Sequence, residues 1–146
     1  MAGLEGLRFR IPGEYRYGAS DVAAVVDDLG RTPGNFFLLG DSAYLYALTG
    51  RPSAGISLWL HPGLTMPMHG NEAYERRLLR RLVALDVRYL VLEGKSTWMD
   101  VSLSRFARLA RSVRQDEPRR FGRFCIVGLD PVRLRREAGS EGDAPH

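Results

Sequence analysis

The sequence is poor in the residues that build the commonest metal and cofactor sites. Cysteine occurs once, as Cys125, inside the apolar stretch Phe124-Cys125-Ile126-Val127. A lone cysteine makes no internal disulfide and no thiolate cluster, so it reads as a small core hydrophobe and leaves the redox compartment open. His61 and His69 flank a loop rich in proline and glycine, and no third ligand stands at a recognisable spacing. No metal is expected there. Dinucleotide binding lacks its Gly-x-Gly-x-x-Gly signature. Gly94-Lys95-Ser96 matches only the end of a phosphate loop, without the upstream glycine. No cofactor is expected.

Two further scarcities bound the class of protein. Lys95 is the only lysine, so the net charge of +4 rests on arginine. That bias reflects genome composition more readily than a binding function. Arg76, Arg77, Arg80 and Arg81, and then Arg119, Arg120 and Arg123, could meet phosphates, but no aromatic platform or recognition-helix pattern accompanies them. Nucleic acid is therefore not an expected partner. Anionic lipid is a middle option if the domain sits beside a membrane. No apolar run approaches the roughly 20 residues of a membrane helix. Residues 1–12 mix charge and glycine without the apolar centre of a signal peptide. The chain as given is expected to be soluble.

What is present is ordinary globular material. The chain has 146 residues, 45% hydrophobic and 26% charged, which suits one domain with one core. Residues 1–17 read as an extended lead-in, residues 18–136 as a single α/β domain and residues 137–146 as a small, polar, disordered tail. Val22, Val25, Val26 and Leu29 form a stripe at helical spacing that Gly30 should stop. Residues 35–40 form a short continuous apolar run, as in a buried strand. Asp41 or Ser42 then suits the cap of a helix from Ala43 to Leu48, ended by Gly50. A second strand is expected over Ile56 to Leu60, a helix over Glu72 to Leu85 and a third strand over Val87 to Leu92. A helix from about Ser102 to Val113 and a last strand from Arg123 to Leu129 complete the pattern.

This alternation predicts a three-layer α/β/α fold around a mostly parallel sheet of about four strands, Rossmann-like in kind. Ligands of such sheets gather at the carboxyl ends of the strands. Those ends are Gly40-Asp41-Ser42, His61-Pro62-Gly63 and Glu93-Gly94-Lys95-Ser96.

Gly40-Asp41-Ser42 looks like the nucleophile block of the GDSL hydrolases. Asp143-Ala144-Pro145-His146 mimics that family's terminal Asp-x-x-His, and Gly70-Asn71 loosely matches its oxyanion-hole element. A nucleophilic serine needs a held base and prepositioned donors. Here the histidine ends a polar tail, and Glu72 follows Asn71 against the family pattern. Helix capping is the expected role of Asp41-Ser42. Ester hydrolysis at Ser42 is the alternative.

A second resemblance covers more of the chain. The segment Asn35 to Arg51, the loop Trp59-Leu60-His61-Pro62-Gly63-Leu64 and the strand Val87-Arg88-Tyr89-Leu90-Val91-Leu92 resemble a stretch that follows the last membrane helix of many bacterial GT-C type glycosyltransferases. The resemblance runs from about Gly6 to Gly94, and more loosely over Gly122 to Leu129. It implies an extracytoplasmic, periplasmic domain appended to an enzyme that takes sugar from a polyprenyl-phosphate carrier. The family's catalytic acids lie between early membrane helices, a region absent here, so no catalytic residue carries over. The implied partner is the transmembrane part of a parent glycosyltransferase. Asp41, Ser42, His61 and Lys95 would form a rim toward a glycan or polyprenyl-phosphate-sugar headgroup. Tyr44 and Trp59 would offer rings on which sugars stack, although both lie in apolar elements, where a place in the core is the expected one. A soluble interaction module remains the plain alternative.

Overall fold

A computed structural model describes residues 9–10, 16–17, 19–57, 65–67, 71–94 and 103–139. Near the start, β1 (Phe9–Arg10) and β2 (Arg16–Tyr17) pair antiparallel as a short ribbon, within what the sequence presents as an extended lead-in. Helix α1 spans Ala19–Arg31 and buries Val22, Val25, Val26 and Leu29 along one stripe. It continues one residue past Gly30 and ends where the Thr32 hydroxyl donates back to the carbonyls of Asp28 and Leu29.

Strand β3 (Asn35–Leu39) follows, with its last four side chains all buried. Helix α2 (Tyr44–Thr49) stops at Gly50, whose left-handed φ of 65° a side chain would disfavour. Arg51 then donates to the carbonyls of Gly34 (2.8 Å) and Thr32 (3.2 Å), which ties the end of α2 back to the start of β3. Helix α3 (Glu72–Ala84) begins at Asn71, whose side chain accepts from the Tyr74 amide at 3.0 Å. Strand β4 (Val87–Glu93) pairs parallel with β3.

The sheet order is β3-β4-β6-β5, with β5 at Arg119–Phe121 and β6 at Phe124–Gly128. Only β3–β4 is parallel; β4–β6 and β5–β6 are antiparallel. The sheet is therefore mixed, which corrects the expectation of a mostly parallel one. The physical reason is the Gly122-Arg123 turn, too short for a crossover and closed by Gly122 at φ 56°. Two residues can join strands only as a hairpin. Strand β5 escapes sequence reading because Pro118 and two arginines look like a connection; an edge strand tolerates both.

Other boundaries also move. Ile56 and Ser57 lie in bends outside the sheet, and residues 58–60 fall outside the described residues. The helix expected over Ser102 to Val113 divides into a 3₁₀ turn (Leu103–Arg105) and α4 (Ala107–Arg111), because the backbone leaves helical geometry at the buried Phe106. Helix α5 (Pro131–Glu137) has no counterpart in the sequence reading. Asp130 caps it through bonds from the amides of Val132 and Arg133, with proline at the first position. Fully buried Ala138 carries the domain past residue 136, and residues 140–146 of the expected tail are outside the described ones.

Alternation along β3 sends Phe36 and Leu38 into one apolar cluster and Phe37 and Leu39 into another. The first cluster is completed by α1 and α2, the second by α3, α4 and α5. At the β3 edge, the Tyr46 hydroxyl accepts from the Leu38 amide (2.9 Å) while its ring stacks on Phe36 at 4.7 Å. That side chain blunts an otherwise open strand edge. Among the described residues no helix is long and apolar enough to cross a membrane.

Candidate functional site at the carboxyl ends of β3 and β4

The two parallel strands deliver Gly40-Asp41-Ser42 and Glu93 to the same end of the sheet, since Leu39 pairs with Leu92. Glu93 turns its carboxylate back over the β3–α2 turn. One oxygen accepts from the amides of Asp41 (2.8 Å) and Ser42 (3.0 Å), and the other from the Ser42 hydroxyl (2.8 Å). Bonds to an ionised acceptor are about twice as strong as neutral ones, so this clasp fixes the turn. Gly40 makes it possible: an added Cβ would lie 2.4 Å from one Glu93 oxygen and 2.5 Å from its Cβ.

The clasp overturns the capping expectation for Asp41 and Ser42. The residue at the head of α2 is Ala43, no side chain caps the helix, and Ser42 contributes its carbonyl to the Leu45 amide (3.0 Å). Its hydroxyl is committed to Glu93, and the residue is only 2% exposed. Asp41 is exposed above it. Tyr44, half-buried, completes the inner wall. Burial raises the pKa of its phenol above the ordinary value, while the neighbouring Ser42 side chain works against that rise. Glu93 and Arg123 also act on the same phenol through space, the first raising its pKa and the second lowering it. Arg123 reaches it from the β5–β6 turn, donating to the Gly94 carbonyl (3.2 Å) while the Gly94 amide donates to the Arg123 carbonyl (2.7 Å).

Of the six residues expected to bind a ligand, Asp41, Ser42 and Tyr44 come together here. His61, Lys95 and Trp59 lie outside the described residues, as do His69, Gly70, Asp143 and His146. Asn71, the remaining part of the GDSL likeness, caps α3. Sequence reasoning named Glu93 at a strand end and Arg123 in an arginine cluster, but placed neither among the ligand-binding residues. The signal for Glu93 was available: it is the first charge after an apolar strand, and that strand neighbours the one leading into Ser42. Arg123 had none, because its position depends on an unrecognised hairpin.

Among the described residues no group of three His, Cys, Asp or Glu side chains is placed to hold a metal. A cleft of about 260 Å³ opens at the other end of the sheet, between Gly34, Arg88, Tyr89 and Arg114. Its two arginines are each paired, with Asp86 (2.7 Å) and Asp116 (2.6 Å). That pairing leaves little net charge to recognise an anion. No protein-family model, no curated protein and no solved structure matches the chain.

Proposed function

We propose that this chain is a non-catalytic extracytoplasmic accessory domain of a GT-C type membrane glycosyltransferase, and that it helps shape the acceptor side or docks a partner. The resemblance over Asn35 to Arg51 motivates the reading. One observation carries it: the residues that make that motif distinctive have internal structural work. Gly40 admits Glu93, Ser42 is buried in the clasp, Gly50 ends α2 and Arg51 ties the unit shut. A serine that is 2% exposed and bound to a carboxylate holding two backbone amides presents no nucleophile to a substrate. The motif is thus a scaffold, as expected of a domain whose parent carries its catalytic acids elsewhere.

In this reading the two helical groups and the sheet stand for a three-layer, Rossmann-like arrangement with a hairpin in place of its last parallel strands. Asp41 and Tyr44 belong to a rim, joined by His61, Lys95 and Trp59, that faces a glycan or polyprenyl-phosphate-sugar headgroup on the periplasmic side. An amide-shift titration of the chain with a short-chain polyprenyl-phosphate sugar tests the rim. Shifts confined to residues 40–44, 59–61 and 93–96 support it. Saturating ligand with those amides unmoved removes the rim from the proposal.

A further inference from the structure

The charge of this domain is divided between the two groups of helices. Helix α1 carries three aspartates to one arginine, and α2 carries no charge. On the opposite cluster α3 carries four arginines to two glutamates, α5 three to one, and every charge on α4 is arginine. The acids among them are already engaged. Glu75 accepts from the Arg108 and Leu109 amides, Glu72 binds Arg76 and Arg108, and Glu137 binds Arg108 and Arg111.

What remains points outward. Leu78, Leu79, Leu82 and Glu75 define the buried side of α3, and the helical period puts Arg77 and Arg80 opposite them. On α5, Leu134 is buried, and Val132, Arg135 and Arg136 share the outer side. Arg77, Arg80, Arg135 and Arg136 are all exposed, with no hydrogen bond or ion pair among the described residues. Arg81 adds a charge matched by no acid, because it donates to the carbonyls of Ala54 and Ser53. Val132, 62% exposed, is the one large apolar side chain left open among the described residues, and it lies one helical turn from Arg135 and Arg136.

From this arrangement we infer that the outer face of α3 and α5 docks onto an anionic lipid surface, with Arg77, Arg80, Arg135 and Arg136 on headgroup phosphates and Val132 entering the interface. The inference deepens the membrane-side placement proposed above and rests on it. Charge complementarity selects an anionic partner. The choice of a lipid surface follows from Val132, since an apolar side chain ringed by guanidiniums suits the headgroup–acyl boundary and gains nothing from a phosphodiester backbone. Four outward cations that form no ion pair among the described residues act additively on such a surface. The acidic α1 would then face away from it.

The test is co-sedimentation of the chain with vesicles of phosphatidylcholine alone, or of phosphatidylcholine mixed with phosphatidylglycerol. Binding is expected only to the mixed vesicles and should fall as salt rises. Each of Arg77→Gln, Arg80→Gln, Arg135→Gln and Arg136→Gln should weaken it about 5-fold, and the four together at least about 100-fold. Val132→Asp should weaken it without changing the net number of arginines. Arg120→Gln, on the exposed side of β5, serves as a control of equal charge and should change binding less than 2-fold, roughly its share of long-range attraction. Unchanged thermal unfolding confirms that each variant is folded. Equal binding to both vesicle types overturns the inference, as does full retention by the quadruple variant or tighter binding to duplex DNA than to the mixed vesicles. Failure here is separable from failure of the proposed function, because the native polypeptide's size and fractionation are measured independently of this face.

Discussion

The carboxylate of Glu93 closes on Ser42 from the neighbouring strand, taking its hydroxyl at 2.8 Å and its amide at 3.0 Å. The two stand fifty-one positions apart in sequence, yet the parallel register of β3 and β4 brings them to one strand end. A bond of this kind orders the turn on which any ligand rim would depend.

Removing the carboxylate should therefore cost stability without touching the apolar core. Glu93→Ala leaves two amides and a hydroxyl without their charged acceptor, an expected loss of about 2–3 kcal/mol. Glu93→Gln keeps one accepting oxygen and should lose about half as much. Urea unfolding followed by circular dichroism checks both. A loss below about 0.5 kcal/mol for the alanine variant would mean that water replaces the clasp without cost.

Gly40 answers to the same geometry. Gly40→Ala forces a methyl group into Glu93, with contacts of 2.4 and 2.5 Å that must relax. The expected destabilisation is about 1–3 kcal/mol, the range for overpacking. Gly30→Ala is the comparison, since nothing lies within 4 Å of its added Cβ and it sits in α1. That variant should be neutral or stabilising by up to about 1 kcal/mol. Equal effects from the two substitutions would show that backbone freedom, rather than the close approach, governs Gly40.

Ser42 distinguishes the scaffold from the hydrolase reading. The chain should show no turnover of p-nitrophenyl esters, and Ser42→Ala should lower stability by about 1–2 kcal/mol through loss of a bond to a charged group. Ester turnover that vanishes in Ser42→Ala while the fold persists would reverse the assignment.

The acid limb of stability should come from three carboxylates held below their ordinary pKa values. The Arg111 hydrogen bond lowers Glu137, the Arg108 hydrogen bond lowers Glu72, and the Arg133 amide at the head of α5 lowers Asp130. A carboxylate with a depressed folded-state pKa stabilises fully above its unfolded pKa, 4.5 for Glu and 3.8 for Asp. That stability is lost as pH falls through the lower folded value. The unfolding midpoint should be flat above about pH 5 and drop below it, and the drop should be shallower in Glu137→Gln. An identical pH profile for the variant would remove Glu137 from the cause.

Much of the fold was legible because its elements bury strong local patterns. The Val22–Leu29 stripe, the apolar runs at Phe36–Leu39 and Val87–Leu92, and the Gly50 stop all come through as read. What escaped depends on contacts distant in sequence. Strand β5 is stabilised by pairing with β6 and by Arg119, which grips Asp28 of α1 from two nitrogens and lies 5.3 Å from the centre of the Tyr89 ring. Local pattern at Arg119-Arg120 contains none of that. The site was half legible for the same reason: Ser42 stands out by motif and Glu93 by its place at a strand end, whereas the bond between them depends on a strand register and Arg123 on a hairpin that local spacing does not record.

The most direct measurement is the size and location of the native polypeptide. Antibody raised against this chain would be used to blot fractionated cells of its source, with protease added to intact spheroplasts. The expected result is a membrane-fraction band far above the chain's 16.4 kDa, with this epitope degraded from the outside. A single soluble band near 16.4 kDa, protected from external protease, would contradict a domain of a membrane glycosyltransferase.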